Sequence, residues 1–386
     1  MRILHTSDIH LGRMAGLGQA TAAHHRLIEQ SFERVCRAAS EQADVLLIVG
    51  DLLDKEAVFG TFVEKAVSIL SAALGASPSL RVVIVAGNHD PAFLYQRPEW
   101  RLLAERIYVA TEPGLIELED LDLGIVALPW QAAKALTWRQ WPSGMRLVAA
   151  AHTCFPPHPM ESPQNCVLIP EEAASWPVSY VALGHYHDTR IHAVGNTRLV
   201  YSGAPEIMDL GHVGKGQALW VTVREDGSVD FEPFATGELT GLGSQAWQWT
   251  ELAEPRVQSL EARLAEMADA QALLRVRVQG PRERPAALDL AGILGKMADR
   301  FFCLDLRDET TPVPDVEAAA QAGDFTVLGR FVRLAHEALA EAEKRATTAD
   351  QDTQALSGTG AAEEAAILRE ALLLGCYLLG GREEGQ

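Results

Sequence analysis

The sequence predicts a layered α/β domain, followed by a small α+β module and two helices near the C-terminal end. Short, continuous apolar runs such as residues 45–49 and 82–86 are typical of strands buried on both faces. Stretches with helical spacing, residues 25–42 and 59–75, separate these runs. Strands that alternate with helices in this way indicate an α/β sheet covered by helices.

Polar clusters directly follow five of the predicted strands. In chain order they are Asp8-Ile9-His10, Gly50-Asp51-Leu52-Leu53-Asp54, Gly87-Asn88-His89-Asp90, His152 and Gly184-His185-Tyr186-His187. Asp, Asn and His are poor strand formers, and they are costly to bury unless they are paired or ligated. Because open α/β sheets bind ligands at the carboxyl ends of their strands, we expect the five clusters to converge at one sheet edge.

Glycine precedes the polar residues in three clusters, at positions 50, 87 and 184. Glycine allows a sharp turn and a positive φ, so we expect these residues to turn the following side chains back over the sheet edge.

The candidate ligands comprise four imidazoles, two carboxylates and one amide oxygen. They are Asp8, His10, Asp51, Asn88, His152, His185 and His187. Mixed nitrogen and oxygen donors suit Mn, Fe or Zn, whereas a site for Mg or Ca would be richer in oxygen. Seven donors exceed the needs of one tetrahedral zinc ion and match two neighbouring metals that share a carboxylate, as in phosphoryl-transfer enzymes. For the other histidines we expect structural roles; His5 should pack beneath the first cluster, and Asp90 could cap the turn before Pro91.

The order of these motifs resembles that of the calcineurin-like metallophosphoesterases. Residues 4–12, and residues 201–206 followed by Asp209, are similar to the corresponding stretches of SbcD-type nucleases, the nuclease subunits of the SbcCD complex and their archaeal and eukaryotic counterparts. The resemblance covers about residues 1–235 and implies two packed sheets flanked by helices. It also implies that the chain hydrolyses DNA phosphodiester bonds with two divalent metal ions, with Mn²⁺ as the expected metal.

The same resemblance implies a role for each site residue. The first metal would be held by Asp8, His10 and His187, and the second by Asn88, His152 and His185. Asp51 would bridge the two metals. His89 would be the catalytic histidine that faces the phosphate, and Asp54 would orient it, since an Asp–His pair fixes the tautomer and favours the protonated ring.

Charge and cysteine content restrict the possible binding partners and the possible cellular compartment of this protein. The net charge of −19 argues against a stand-alone DNA binder, which usually has a basic face. Bound metals would supply positive charge at the site, and a homodimer and a DNA-binding partner would each weaken the objection further. Five scattered cysteines without a C-x-x-C pair indicate no disulfide framework. The chain opens almost directly into a strand, and no apolar run approaches the ~18 residues of a membrane span, so we expect a cytoplasmic protein.

We predict four segments along the chain. They are a nuclease domain at residues 1–235, a linker at 236–254, a capping domain at 255–310, and a helical region at 320–386 that contains a flexible linker at 347–362. The two C-terminal helices, at 325–346 and 363–380, carry apolar stripes. Either they fold back on the chain's own core or, as the resemblance implies, they dock on an SbcC-like coiled-coil ATPase.

Two other functions remain open at this point. A phosphodiesterase of the same fold, acting on cyclic nucleotides or small phosphodiesters, would need the same metal motifs. The sequence around residues 5–12 and the roughly 150 residues after the catalytic domain favour the nuclease. A non-catalytic scaffold for an SMC-like ATPase is disfavoured because no ligand position is substituted.

Overall fold

The structure is a computed structural model. It describes residues 1–13, 16–59, 61–103, 105–130, 144–155, 168, 174–249, 256–282, 289–312, 316, 320, 326–349 and 358–379. The chain forms two units. The first unit contains Met1–Ser244 with Asp269–Leu274 and Phe301–Cys303, and the second contains Gln245–Ala268, Arg275–Arg300 and Leu304–Gln386.

The described strands are β1 Arg2–Thr6, β2 Val45–Val49, β3 Arg81–Val85, β4 Ile107–Ala110, β5 Gly114–Leu118, β6 Leu123–Leu128, β7 Arg146–His152, β8 Tyr180–Gly184, β9 Arg190–Val194, β10 Thr197–Tyr201, β11 Val213–Val223, β12 Val229–Gln248, β13 Ala272–Arg282 and β14 Cys303–Pro312. The described α-helices are α1 Thr21–Gln42, α2 Phe62–Ala76, α3 Arg256–Glu266, α4 Leu290–Met297, α5 Val327–Ala349 and α6 Gly358–Leu379. None of these helices is both long and apolar enough to cross a membrane.

Two sheets form the first unit. One has the order β12-β11-β1-β2-β3-β4, and the other has the order β5-β6-β7-β8-β10-β9. Strands β1 to β4 run parallel, and β11 runs antiparallel to β1. In the second sheet, β6, β7, β8 and β10 are parallel. The parallel strands of each sheet therefore end at the same edge of that sheet. Three of the polar clusters follow strands β1, β2 and β3 of one sheet and two follow β7 and β8 of the other, so the prediction of a single sheet edge is wrong.

Strand β2 shows why its run of five apolar residues is continuous. Val45, Leu47 and Val49 pack in the core between the sheets, whereas Leu46 and Ile48 pack in the core that includes residues of helices α1 and α2. All five side chains are fully buried. Side chains of a strand alternate between its faces, so a strand covered on both sides must be apolar at every position. The predicted two-sheet sandwich flanked by helices is confirmed.

The predicted linker at 236–254 is wrong over residues 236–248, which continue strand β12. Because this stretch is rich in glycines and polar residues, its sequence does not indicate a strand. Tertiary contacts fix the strand instead. The buried carboxylate of Glu206 accepts hydrogen bonds from the backbone N–H groups of Glu238 and Leu239, at 2.9 and 3.2 Å. Leu239 is buried in a cluster with Ile207 and Leu273. Residues 250–255 lie outside the described residues.

The second unit contains α3, most of β13, α4 and most of β14, in the helix–strand–helix–strand order expected of the small module. The capping role of this module stays a prediction.

Helices α5 and α6, also in the second unit, pack against each other through Val332, Leu372 and Cys376. Gly375 permits this approach, since a Cβ atom there would lie 2.1 Å from the ring of Phe331. Helix α5 extends to Ala349 and α6 begins at Gly358, so the predicted linker at 347–362 is too long. Its residues 350–357, like Phe325 of the predicted stripe, lie outside the described residues.

Candidate metal centre

All nine predicted site residues lie at the carboxyl edge of the first unit's strands. Asp8 and His10 follow β1, Asp51 and Asp54 follow β2, Asn88 and His89 follow β3, His152 ends β7, and His185 and His187 follow β8. Most of these side chains are buried; Asp8, His10, Asp51, Asp54 and His152 are each at most 3 % exposed.

Among the described residues the donor atoms form three overlapping groups, of which two consist of predicted ligands and the third joins His10 to Asp54 and His89. In the first, ligand atoms of Asp8, His10 and His187 lie within 4.8 Å of one another. In the second, ligand atoms of Asp8, Asp51 and His152 do so. Distances of this size leave room for a cation between the donors.

Asp51 lies between the groups. Its Oδ2 atom is 3.7 Å from His10 Nε2 and 3.4 Å from His152 Nε2. A single carboxylate oxygen therefore faces an imidazole of each group, which is the position of a bridging ligand.

The remaining predicted ligands, Asn88 and His185, lie next to His152 of the second group. The Oδ1 atom of Asn88 lies 2.9 Å from His152 Nε2. The ring of His185 lies 5.5 Å from the ring of His152, and its backbone N–H donates to Asp8 Oδ2 at 3.1 Å. The sequence-predicted set of seven donors is therefore brought together in one site.

Asp54 contacts two histidines, not only the one expected. Its Oδ2 atom lies 2.9 Å from Nδ1 of His10, and its Oδ1 atom lies 3.3 Å from Nδ1 of His89. An imidazole whose Nδ1–H donates to a carboxylate keeps Nε2 available as a ligand atom. Asp54 thus orients the candidate ligand His10 as well as His89.

Backbone strain is concentrated at the ligands. Asp8, His10, Asp51 and His185 have φ values of 54°, 52°, 54° and 116°. Non-glycine residues seldom adopt positive φ, and such strain persists only where surrounding structure enforces it, commonly at functional sites. Here the N–H of Asp8 donates to Gly50 O at 3.0 Å and that of His10 donates to Asp51 O at 2.8 Å.

The three glycines serve two purposes. Gly50 has the expected positive φ, 82°. Gly87 and Gly184 do not, so the prediction is wrong for them; glycine is required there because the chain passes too close for a side chain. A Cβ atom at Gly87 would lie 2.1 Å from Asp51 Oδ1, and one at Gly184 would lie 1.8 Å from Val49 O.

The electrostatics of the site favour a cation. Burial opposes ionisation of Asp51, but His152 and His10 outweigh it and hold the pKa of Asp51 well below its usual range. Burial likewise opposes protonation of His152, yet the neighbouring carboxylates of Asp51 and Asp8 raise its pKa to about 9. A metal ion that binds here displaces this proton, so metal affinity should fall as the pH falls.

Two buried atoms test whether these residues fit a metal. Within the described parts of the chain, Asp8 Oδ1 and His10 Nε2 are buried and have no hydrogen-bond partner. Unpaired buried polar atoms are costly, and both belong to the first donor group. The orphaned atoms and the nitrogen and oxygen donor set therefore fit divalent cations of the Mn, Fe or Zn type.

Further residues support the site. Asp90 does more than cap a turn, because its carboxylate accepts from the N–H groups of Leu53 and Gly87, at 2.8 and 2.9 Å, and so ties two ligand loops together. His5 is buried, as expected beneath the first cluster, with Nδ1 2.7 Å from the hydroxyl of Tyr180. The ring of Trp130 lies 4.8 Å from that of His185. Sequence reasoning missed Trp130, since the end of β6 carries no polar cluster that would mark it.

Comparison with known proteins agrees with this geometry. Residues 1–188 match the family model described as calcineurin-like phosphoesterase. The chain is 28% identical over 264 residues to the SbcD component of the nuclease SbcCD of Rhodobacter capsulatus, covering 55% of this chain and 64% of that one. It is 27% identical over 252 residues to the DNA double-strand break repair protein Mre11 of Aeropyrum pernix, covering 59% of each.

A dimetal phosphatase of Danio rerio aligns with a TM-score of 0.41 and 13% identity, covering 61% of this chain and 96% of the phosphatase. The chain spans less than two thirds of the length of both curated relatives. Residues 1–188, which contain the converging strand ends, therefore belong by sequence to the calcineurin-like phosphoesterases, and more than half of the chain is similar in sequence to the SbcD component and to Mre11.

Proposed function

We propose that the chain is a metal-dependent DNA nuclease that hydrolyses phosphodiester bonds, and the nuclease subunit of an SbcCD-like double-strand-break repair complex. The observation that carries this proposal is the pair of donor groups that share Asp8, with Asp51 facing a histidine of each group and His89 beside them. The names of the two curated relatives, a component of a nuclease and a double-strand break repair protein, supply the substrate class.

In this proposal the chain provides two metal sites. Asp8, His10 and His187 hold one ion, Asn88, His152 and His185 hold the other, and Asp51 bridges. Two divalent ions, which we propose to be Mn²⁺, would supply a water of lowered pKa and neutralise phosphate oxygens. The buried, preoriented donors fix where the phosphodiester lies.

His89 is the proposed proton donor. Its side chain is one-third exposed, unlike the buried ligands. The hydrogen bond to Asp54 raises the pKa of His89, so the imidazolium form persists toward neutral pH. With Nδ1–H committed to Asp54, Nε2–H is left to donate to a phosphate or leaving-group oxygen, a contribution of roughly 10²–10⁴-fold in rate.

The proposed partner surface is the outer side of the α5–α6 pair. Leu334, Ile367 and Leu374 are 50%, 65% and 59% exposed, although neighbouring apolar residues of the same helices are buried between them. We propose that these residues dock on the coiled coil of an SbcC-like ATPase in a cytoplasmic complex containing two copies of this chain. The net charge of −19 supports a need for such help, because an acidic monomer binds DNA weakly.

A co-purification experiment tests this surface. Full-length chain carrying Leu334→Ser and Leu374→Ser should no longer co-purify with the ATPase, and its melting temperature should stay the same. Leu102→Ser, which alters an 81% exposed leucine of the first unit, is the matched control. Retention of the ATPase by the double variant would contradict the assignment of the surface.

The nuclease proposal is tested by an assay on single-stranded, duplex and hairpin DNA beside bis-p-nitrophenyl phosphate. We expect Mn²⁺-dependent cleavage of both DNA and the small diester, and loss of both with Asp51→Asn. Hydrolysis of the small diester without any cleavage of DNA would instead indicate a phosphodiesterase for small substrates.

A further inference from the structure

An open pocket of about 410 Å³ lies directly beside the metal centre in the first unit. It shares the candidate ligand His187, and its walls are formed by Asp188, Thr189 and the glycine-rich residues 211–217 at the start of β11. None of these wall residues is among the seven candidate ligands. Its position makes it available to a part of the substrate that adjoins the reacting phosphate.

The acidic groups of this region already have partners. Asp188 Oδ1 lies 3.3 Å from Nε2 of His212, and Asp188 Oδ2 lies 3.4 Å from Nη2 of Arg190. Asp209 Oδ2 lies 3.8 Å from Nδ1 of His187. Arg190 therefore offsets the negative charge of Asp188 that would otherwise repel an anionic substrate, and the two histidines position the carboxylates.

Lys215 is the cation in this pocket that remains available. It is exposed, and within the residues that the structure describes it forms no ion pair and no side-chain hydrogen bond. By contrast, Gln217 and Thr189 are committed to each other, and Thr189 Oγ1 also donates to Ser202 O at 2.6 Å. Lys215 can therefore bind a ligand without breaking an existing contact.

The shape of the wall suits a polymer backbone. Gly211, Gly214 and Gly216 lie in this segment, and Gly214 has a φ of 98°. Gly214, next to Lys215, is exposed, and no heavy atom lies within 4 Å of where its Cβ atom would be, so a strand can approach the backbone closely there. Exposed Val213, 72% accessible, lies two residues before Lys215 and offers an apolar contact.

We propose that this pocket is a subsite for the phosphate next to the scissile one in a DNA strand, and that Lys215 binds it. This inference rests on the proposed nuclease function and names how that site holds its substrate. Contacts from lysine to phosphate position a strand without reading its sequence, so the subsite would favour polymeric substrates of any sequence. Lys215 would also place a positive charge next to the substrate in a chain that is otherwise acidic.

The test compares two substrates on the full-length protein loaded with Mn²⁺. Bis-p-nitrophenyl phosphate has no neighbouring phosphate, whereas a single-stranded oligonucleotide does. Lys215→Ala should lower the ratio of kcat/KM for the oligonucleotide to kcat/KM for the small diester about five- to tenfold. The slope of log KM for DNA against log salt concentration should fall by about one unit, as expected for the loss of one phosphate contact. Lys215→Arg should keep most of the ratio.

Arg224→Ala is the matched control, because it removes one positive charge from the other end of β11, about 30 Å away at ~3.3 Å per residue. It should leave the ratio and the salt slope at their wild-type values. A wild-type ratio and slope in Lys215→Ala, or an equal loss on both substrates, would overturn the subsite. Failure of the wild-type protein to cleave any DNA, with the small diester still hydrolysed, would overturn the nuclease function itself.

Discussion

Asp54 lies closer to His10 than to His89, with its Oδ2 atom 2.9 Å from Nδ1 of His10 and its Oδ1 atom 3.3 Å from Nδ1 of His89. The residue that the family resemblance pairs with His89 therefore also supports His10, a candidate metal ligand. One carboxylate couples the geometry of the metal site to that of the proton donor.

Asp54→Asn should weaken metal binding as well as catalysis. A carboxylate that accepts from the distal nitrogen of a ligating histidine contributes about 10–100-fold in metal affinity, so we expect a loss of that size in Mn²⁺ titrations. Asp120→Asn, which removes a half-exposed carboxylate paired with Arg81, serves as the control. Wild-type Mn²⁺ affinity in Asp54→Asn would mean that the contact with His10 does not orient a ligand.

His89→Ala should separate catalysis from metal binding. We expect both metal ions to remain bound, because His89 lies outside the seven donors, while kcat falls roughly 10²–10⁴-fold. Elemental analysis and steady-state kinetics on the same preparation check both parts. Loss of a metal ion from this variant would show that His89 is a ligand.

Gly50→Ala should damage the metal site specifically. A Cβ atom at this position would lie 1.8 Å from Nδ1 of His152, and the backbone has a φ of 82°. We expect His152 to be displaced and the affinity of the second ion to fall at least tenfold. Gly75→Ala in helix α2, where no heavy atom lies within 4 Å of the new Cβ, should leave metal binding unchanged and stabilise the helix by up to about 1 kcal/mol. Normal occupancy of both sites in Gly50→Ala would contradict this explanation.

The strand ends and the convergence of the polar side chains could be predicted from the sequence because their signal is local: an apolar run, a turn and polar residues that packing does not require. The sequence cannot predict contacts that depend on how loops are brought together. The double contact of Asp54, the bridge from Asp90 to two loops and the contact of the Trp130 ring with that of His185 are of this kind. Strand β12 was missed beyond residue 235 because its order depends on the buried carboxylate of Glu206, 32 residues before Glu238.

His5 predicts a pH dependence of stability. Burial lowers its pKa from 6.5 to about 3 in the folded state, and Nδ1 lies 2.7 Å from the hydroxyl of Tyr180. Between pH 6.5 and 3 the unfolded chain binds a proton that the folded chain does not. The free energy of unfolding should therefore fall as the pH falls through this window, by about 1.4 kcal/mol per pH unit for this proton.

Urea unfolding of the first unit, measured in a chelating buffer at pH 7, 6 and 5, checks the sign. His5→Gln should show a smaller fall with decreasing pH than the wild-type protein, whatever its absolute stability. His336→Gln, at an exposed histidine of helix α5, should show the wild-type dependence. An unchanged pH dependence in His5→Gln would rule out His5 as the group responsible.

The dinuclear centre is tested most directly by anomalous diffraction at the manganese edge from crystals saturated with Mn²⁺. We predict two anomalous peaks per chain, roughly 3.5–4 Å apart, with the carboxylate of Asp51 between them. One ion should be ligated by Asp8, His10 and His187, and the other by Asn88, His152 and His185. A single peak, or two peaks of which only one contacts Asp51, would contradict a dinuclear centre bridged by this carboxylate.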